Sequence, residues 1–159
     1  MKKVTLGEVC KFQTGFWFKP TKYKKSGFPI LRIKNIQQGK IYFKNIVFFD
    51  PLDYEKNLNK YKIKSNDIVI ALSGATAGKI AFNNSDQILF LNTATGRIDP
   101  DETRINRRYL YHFLLSKNKE LYEMAICGTQ PNLYFSSIKN MEIILPSLSE
   151  QNRTEQQRY

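Results

Sequence analysis

Short apolar runs separated by turn residues occupy most of the first part of the chain, and such runs predict β-strands. The run at 68–72 is fully apolar and rich in β-branched residues, which predicts a buried strand. Apolar and basic side chains alternate at 29–36, so we expect a strand there with Arg32 and Lys34 on one basic face. The other predicted strands are 4–6, 41–43, 46–49, 80–82, 88–91, 95–98 and 141–145.

Apolar residues at helical spacing become dominant in the last third of the chain. Ser149 is expected to be the N-cap of a final helix, because serine side chains accept bonds from free N–H groups at a helix start. That helix has no apolar positions at the spacing of a coiled-coil seam, so we expect residues 152–159 to be frayed and to contribute little stability. The other predicted helical segments are 7–10, 54–60, 106–116, 117–126 and 133–139.

Small residues fill the connection between the predicted strands at 68–72 and 80–82. Residues 73–78 contain no bulky side chain and are followed by Lys79. Backbone N–H groups of such a loop can approach an anion closely, which makes it a candidate phosphate contact. The loop is not a nucleotide-binding P-loop, because three residues separate its glycines and Lys79 is followed by Ile80. A plain hairpin turn is the alternative.

Length and composition indicate one folded domain, with 159 residues of which 42% are hydrophobic. No apolar run approaches the ~20 residues of a membrane span, and no signal peptide is visible. Cys10 and Cys127 are far apart, so we expect reduced thiols in a cytoplasmic protein and no metal cluster. His112 is the only histidine, and we expect it to contribute to packing rather than to catalysis.

Positive charge is concentrated in the first two-fifths of the chain. Residues 1–64 contain 15 Lys and Arg against 4 Asp and Glu, whereas residues 65–159 contain 10 of each. The whole net charge of +11 therefore lies in the first part. This clustering favours a nucleic-acid partner over a general lysine-rich composition, which would enrich lysine throughout.

The predicted loop at 15–27 combines aromatic residues with lysines. Lysines can bind phosphates, and exposed aromatic rings can stack or wedge at bases. The alternative is that Trp17 and its neighbours only anchor the loop to the core. The lysines of the loop are Lys19, Lys22, Lys24 and Lys25.

Three separated motifs resemble a known family when they are taken in order. They are residues 66–79, residues 128–133 and residues 144–151, and the segments 4–9, 29–34 and 109–116 fit the same pattern. The ordered set is similar to one target recognition domain of a type I restriction-modification specificity subunit. The resemblance covers about residues 3–151.

The resemblance implies an α+β fold, with a mixed, strongly twisted β-sheet and several short helices. It implies a DNA target recognition domain at 1–148 and the start of a truncated C-terminal helix at 149–159. It also implies sequence-specific binding to double-stranded DNA without catalysis and without a cofactor. The residues agree, since no dinucleotide fingerprint, methylase motif or acid-x-Lys nuclease pair is visible.

The partners implied by the resemblance are a methyltransferase subunit and, through it, a restriction subunit. Complete family members carry two such domains, so a second recognition domain or a homodimer is also implied. The chain is then a natural half-subunit, a truncated reading frame or a piece of a longer protein. The alternatives are a degenerate domain that acts only in protein interaction, or a small RNA-binding protein.

The candidate DNA contacts divide into phosphate contacts, which position a protein, and base contacts, which carry sequence information. Gln130 and Asn132 are the candidate base readers, because short amides can pair with adenine N6 and N7. The alternative is that both amides cap the predicted helix at 133–139. Arg32 and Lys34 fit either role. Besides the lysines of the loop at 15–27, the remaining candidate contacts are Ser73, Thr76, Lys79 and Thr129.

Overall fold

The protein is described here from a computed structural model that covers residues 1–126 and 129–158. The helices are α1 (Leu6–Val9), α2 (Arg107–Ser116), α3 (Asn118–Ala125), α4 (Phe135–Ile138) and α5 (Leu148–Gln156). The strands are β1 (Lys2–Thr5), β2 (Cys10–Thr14), β3 (Phe28–Leu31), β4 (Ile36–Gln37), β5 (Lys40–Ile41), β6 (Val47–Phe49), β7 (Lys62–Ile63), β8 (Ile68–Ala71), β9 (Ile80–Phe82), β10 (Leu89–Leu91), β11 (Thr95–Pro100) and β12 (Glu142–Leu145).

Two four-stranded sheets form the body of the fold. One is antiparallel, in the order β2-β11-β8-β9, and the other has the order β6-β3-β10-β7 with β3 and β10 parallel. The pairs β1-β12 and β4-β5 form two small antiparallel sheets. Mixed sheets together with several short helices confirm the expected α+β class. No helix in the described ranges is long and apolar enough to cross a membrane.

Strand β8 is buried on both of its faces. Ile68 and Ile70 pack into a hydrophobic cluster that also contains residues of α2 and α3. Val69 and Ala71 pack into a second cluster, which contains residues of β3 and β10. A strand covered on both sides needs apolar residues at every position, which explains the continuous run in the sequence. The prediction of a buried strand is confirmed.

The strand predicted at 29–36 ends at Leu31, and Ile33–Asn35 form a 3-10 turn instead. The buried side chain of Asn35 accepts a hydrogen bond from the backbone N–H of Arg32 at 2.9 Å. It also donates to the carbonyl oxygen of Tyr42 at 3.0 Å. Such side-chain bonds to the backbone compete with a strand ladder. The prediction of a basic strand face is therefore wrong.

One other local prediction is also wrong, and one strand was not predicted. The segment predicted as a helix at 54–60 is irregular between the 3-10 turns Pro51–Asp53 and Asn59–Tyr61. Asp50 and Asn57 each accept a bond from a backbone N–H two residues ahead, which favours a tight turn over a helix. Strand β2 was not predicted, because its alternation is weak and its pairing with β11 stabilises it.

The C-terminal helix differs from the prediction at both of its ends. Its N-cap is Ser147, whose hydroxyl accepts from the N–H of Glu150 at 3.3 Å, so Ser149 lies inside the helix. Glu155 is only 4% exposed and contacts the ring of His112 on α2. The prediction that residues 152–159 are frayed is therefore wrong at Glu155, while Tyr159 lies outside the described residues. The contact with Glu155 supports the packing role predicted for His112.

Candidate nucleic-acid interface

The loop at 73–78 turns tightly between β8 and β9. Gly74 and Gly78 have φ values of +75° and +89°, which favour glycine. A Cβ atom on Gly78 would also lie 2.9 Å from the Cβ of Leu121, so this glycine lets α3 approach the loop. The N–H groups of Gly74, Ala77, Gly78 and Lys79 all donate to protein carbonyls. These four groups cannot bind an anion, which corrects that part of the phosphate-loop prediction.

The structure brings the loop at 73–78 together with the distant loop at 129–132. Ser73 and Asn132 form an antiparallel bridge. Gly74 donates to the carbonyl of Pro131 at 3.1 Å, and the N–H of Leu133 donates to the carbonyl of Leu72 at 2.7 Å. Side chains from both loops therefore share one surface: Ser73 and Thr76 are half-buried, and Thr129, Gln130 and Asn132 are exposed.

Gln130 and Asn132 do not cap the helix that follows them. The helix α4 begins at Phe135, and its N-cap residue is Tyr134, which makes no side-chain cap bond. The Asn132 amide nitrogen lies 3.5 Å from the carbonyl oxygen of Gln130, at the limit of hydrogen bonding. The capping alternative is therefore wrong, and both amides remain available at the surface.

Tyr134 belongs to the same surface, although it was not predicted from the sequence as a contact residue. Its backbone is extended, with φ −111° and ψ 142°, and its side chain is 64% exposed. Leu133 before it is buried, so Asn132 and Tyr134 point to the opposite side. The alternation of polar, apolar and aromatic residues at 132–134 is the signal that could have revealed it. A helix predicted to start at Leu133 concealed that signal.

Arg32 and Lys34 have different surroundings. The guanidinium of Arg32 donates to the carbonyl of Asn45 at 2.9 Å and lies 5.6 Å from the ring centre of Tyr23. Arg32 therefore connects parts of the fold. Lys34 is exposed on the turn Ile33–Asn35, and the side chain of Ile33 lies close to Gly74. This places Lys34 beside the loop at 73–78.

The aromatic residues of the loop at 15–27 differ in burial, so the anchoring interpretation applies to some of them only. Phe18 is fully buried, and Phe16 packs against it with ring centres 5.0 Å apart, so these rings anchor the loop. Trp17 lies between them and is 59% exposed. The base of the loop is fixed by Asn92, whose side-chain oxygen accepts from the N–H of Phe18 at 3.2 Å.

The lysines of this loop are not equivalent. Lys22 donates to the carbonyl of Asp53 at 2.9 Å, and the Lys24 ammonium lies 3.7 Å from the Asp53 carboxylate. Lys19 and Lys25 are exposed, and neither has an ion-pair partner among residues 1–126 and 129–158. Lys19 and Lys25 are therefore the better candidates for phosphate contacts.

Lys79 is half-buried at the edge of a cleft between the loop at 73–78 and α3. The cleft has a volume of about 500 Å³, and Asn118, Lys119 and Tyr122 also line it. Two ammonium groups in this cleft make it basic, although Glu123 offsets part of their charge. Lys79 therefore lies next to the two joined loops.

A larger polar cleft, of about 770 Å³, is a weaker candidate for an anionic partner. Its lining contains three basic and three acidic side chains, and Arg107 lies 3.0 Å from Glu102 and 3.7 Å from Asp67. Burial raises the pKa of the Asp67 carboxyl above its usual range. Because the charges there compensate one another, the cleft has no basic excess.

Comparison with known proteins identifies the family. A family model described as type I restriction modification DNA specificity domain matches residues 1–156. The chain belongs to this family. It is 34% identical over 157 residues to the type I restriction enzyme MjaVIII specificity subunit of Methanocaldococcus jannaschii, covering 93% of this chain and 36% of the relative. It is 29% identical over 130 residues to the StySPI specificity subunit of Salmonella potsdam, covering 77% and 27%.

Solved structures of specificity subunits share the fold. The HsdS subunit from Thermoanaerobacter tengcongensis aligns with a TM-score of 0.70 at 19% identity, over 99% of this chain and 37% of that chain. The S subunit from M. genitalium aligns with a TM-score of 0.70 at 16% identity, over 98% and 37%. The chain thus spans about a third of the length of the relatives it matches. Family membership confirms the resemblance to a type I restriction-modification specificity domain.

Proposed function

We propose that this chain binds double-stranded DNA at specific sequences, as the recognition component of a type I restriction-modification system. The observation that carries the proposal is the bridge between Ser73 and Asn132, which joins two distant polar loops at one surface. Base-specific recognition needs hydrogen-bonding side chains on a fixed backbone, and the joined loops provide both.

The division of roles within this interface follows from exposure and pairing. Gln130 and Asn132 read base edges, while the hydroxyls of Ser73, Thr76 and Thr129 contribute shorter polar contacts. Tyr134 contacts bases beside Asn132. Phosphates are bound by Lys19, Lys25, Lys34 and Lys79. Lys22, Lys24 and Arg32 have protein partners and mainly hold the surface in shape.

The proposed protein partners are a methyltransferase subunit and, through it, a restriction subunit. Support comes from the matched relatives, which are named as specificity subunits of type I restriction enzymes. A second recognition domain, in the same polypeptide or in another copy, is proposed to read the other half of a two-part site. We propose that the chain acts in the cytoplasm, on DNA.

Selection of bound duplexes from a random pool tests the proposal, because it measures binding and preference together. On a selected duplex, Gln130→Ala should lose about 5- to 150-fold in affinity, roughly 1–3 kcal/mol, with little change on a scrambled duplex. Lys25→Ala should instead weaken binding to both duplexes alike and lower the salt slope by about one.

Gln87→Ala is the matched control, because Gln87 is an exposed amide on the connection between β9 and β10. It should behave like the unmodified protein on both duplexes. Normal discrimination by both Gln130→Ala and Asn132→Ala would refute the assignment of the base readers. Failure to enrich any duplex would refute DNA binding itself and favour a protein-interaction module.

A further inference from the structure

The hairpin of β4 and β5 carries an exposed basic stripe outside the interface described above. Lys40, Tyr42 and Lys44 are exposed, while Ile41 is buried and Phe43 is half-buried against the second hydrophobic cluster. Exposed and less exposed side chains therefore alternate along residues 40–44, although β5 itself ends at Ile41 and Lys44 lies in the turn that follows. The stripe consists of Lys40, Tyr42 and Lys44.

The hairpin that carries the stripe is fixed at both ends. At its tip, Gly39 donates to the carbonyl of Ile80 at 2.7 Å, and the side-chain oxygen of Gln38 accepts from the N–H of Ile80 at 3.2 Å. At its base, Tyr42 donates to the carbonyl of Asn35 at 2.7 Å and accepts from the Asn35 side chain. Binding a partner therefore requires no ordering of this hairpin.

The charge of the stripe is not compensated locally. From residue 9 to residue 49 the sequence contains nine Lys and Arg and no Asp or Glu. Lys40 and Lys44 form no ion pair within the described part of the chain. The Lys40 ammonium lies 4.9 Å from the ring centre of Tyr42, which supports the side chain without neutralising it.

The hairpin also lies between the groups that form the proposed interface. Its tip contacts Ile80, the residue after Lys79, and its base adjoins the turn that carries Lys34.

We propose that the stripe of Lys40, Tyr42 and Lys44 binds the phosphate backbone of duplex DNA beside the segment read by Gln130 and Asn132. The two ammonium groups neutralise phosphates, and the Tyr42 hydroxyl donates to a phosphate oxygen. The proposal rests on the proposed function, because it extends that DNA interface. On this proposal the stripe increases the affinity for DNA but does not contribute to sequence preference.

Charge reversal of both lysines distinguishes DNA binding from another possible role, which is to prevent association between molecules. Lysines on an edge strand such as β5 can also serve to prevent strand pairing between molecules. Lys40→Glu/Lys44→Glu keeps such charges but repels DNA. The matched control is Lys2→Glu/Arg153→Glu, which changes the net charge equally at two exposed positions on β1 and α5.

The assay measures binding to the selected duplex with long flanks and with flanks trimmed to the core, at several salt concentrations. The stripe variant should lose about tenfold or more on the long duplex relative to the control, with a salt slope lower by about two. Its discrimination between selected and scrambled duplexes should stay normal. On the trimmed duplex the stripe variant and the control should bind alike.

Tyr42→Phe should retain the fold and lose a smaller part of the affinity on the long duplex. Equal affinity and salt slope for the stripe variant and the control would overturn the inference. Altered sequence discrimination by the stripe variant would also overturn the inference. The same holds if the stripe variant binds DNA normally but no longer assembles with a methyltransferase subunit. If Gln130→Ala still loses discrimination in that case, the proposed function stands and only the stripe is misassigned.

Discussion

Glu155 fixes the C-terminal helix to the body of the protein. Its carboxylate is 2.5 Å from Nδ1 of His112 on α2 and accepts from Nε of Arg158 at 2.9 Å. The Glu155 side chain is 5% exposed and that of His112 is 19% exposed, so water screens their contact only weakly. Glu155→Ala removes both contacts in one step.

The expected loss of stability follows from these two contacts. A hydrogen bond to a charged, buried group contributes about 1.5–3 kcal/mol, and the more exposed contact with Arg158 contributes roughly 0.2–1 kcal/mol. We expect the free energy of unfolding to fall by about 2–3 kcal/mol, which lowers Tm by roughly 4–12 °C.

Thermal unfolding followed by circular dichroism measures this loss. Glu150→Ala is the control, because Glu150 is exposed on the same helix and its removal should change the free energy of unfolding by about 0.5 kcal/mol. A Tm for Glu155→Ala within 1 °C of the control would refute the reasoning. It would show that the helix end is frayed, as its polar sequence alone suggests.

Two further predictions concern the interior. Asn35→Ala leaves the Arg32 N–H and the Tyr42 carbonyl without their partner, so the free energy of unfolding in urea should fall by about 1–3 kcal/mol; an unchanged midpoint would mean that water replaces both bonds. Burial, with smaller contributions from Asp99 and Asp101, raises the pKa of the Cys10 thiol to about 12. Mass spectrometry should therefore find Cys10 unlabelled by an alkylating reagent at neutral pH until the protein unfolds, and rapid labelling of the folded protein would contradict this.

The elements that the sequence predicts well are those decided by their own residues. Strand β8 and helix α2 carry continuous or helically spaced apolar positions, and both are observed. The turn at Ile33–Asn35 was missed because the alternation of apolar and polar residues there is also typical of a strand. The turn depends on the hydrogen bond from the Asn35 side chain to the carbonyl of Tyr42. Asn35 and Tyr42 come together only when the β4-β5 hairpin forms, and the local sequence pattern does not predict that contact.

The candidate site was predictable to a similar extent. Charge distribution indicated which part of the chain is basic, and the polar loop at 129–132 was visible as a group of unexplained amides. The protein partners of the lysines were not predictable, because Asp53, which contacts both Lys22 and Lys24, lies in a separate segment of the sequence. The stripe of Lys40, Tyr42 and Lys44 was not predicted, because alternating exposed and buried side chains are also typical of an ordinary edge strand without a binding role.

The loop at 129–132 is held in place by its backbone rather than by its exposed side chains. Backbone bonds fix it: Asn132 donates to Ala125, Leu133 donates to Leu72, and the Pro131 carbonyl accepts from Gly74. The side chains of Thr129, Gln130 and Asn132 are exposed and contribute little to this attachment. If the loop reads bases as proposed, substitutions at these three positions can change the bases that are read while the backbone position is kept. Gly74 and Gly78 have backbone angles that favour glycine. Substitution of either would instead distort the loop at 73–78 and so move the loop at 129–132, which is bonded to it.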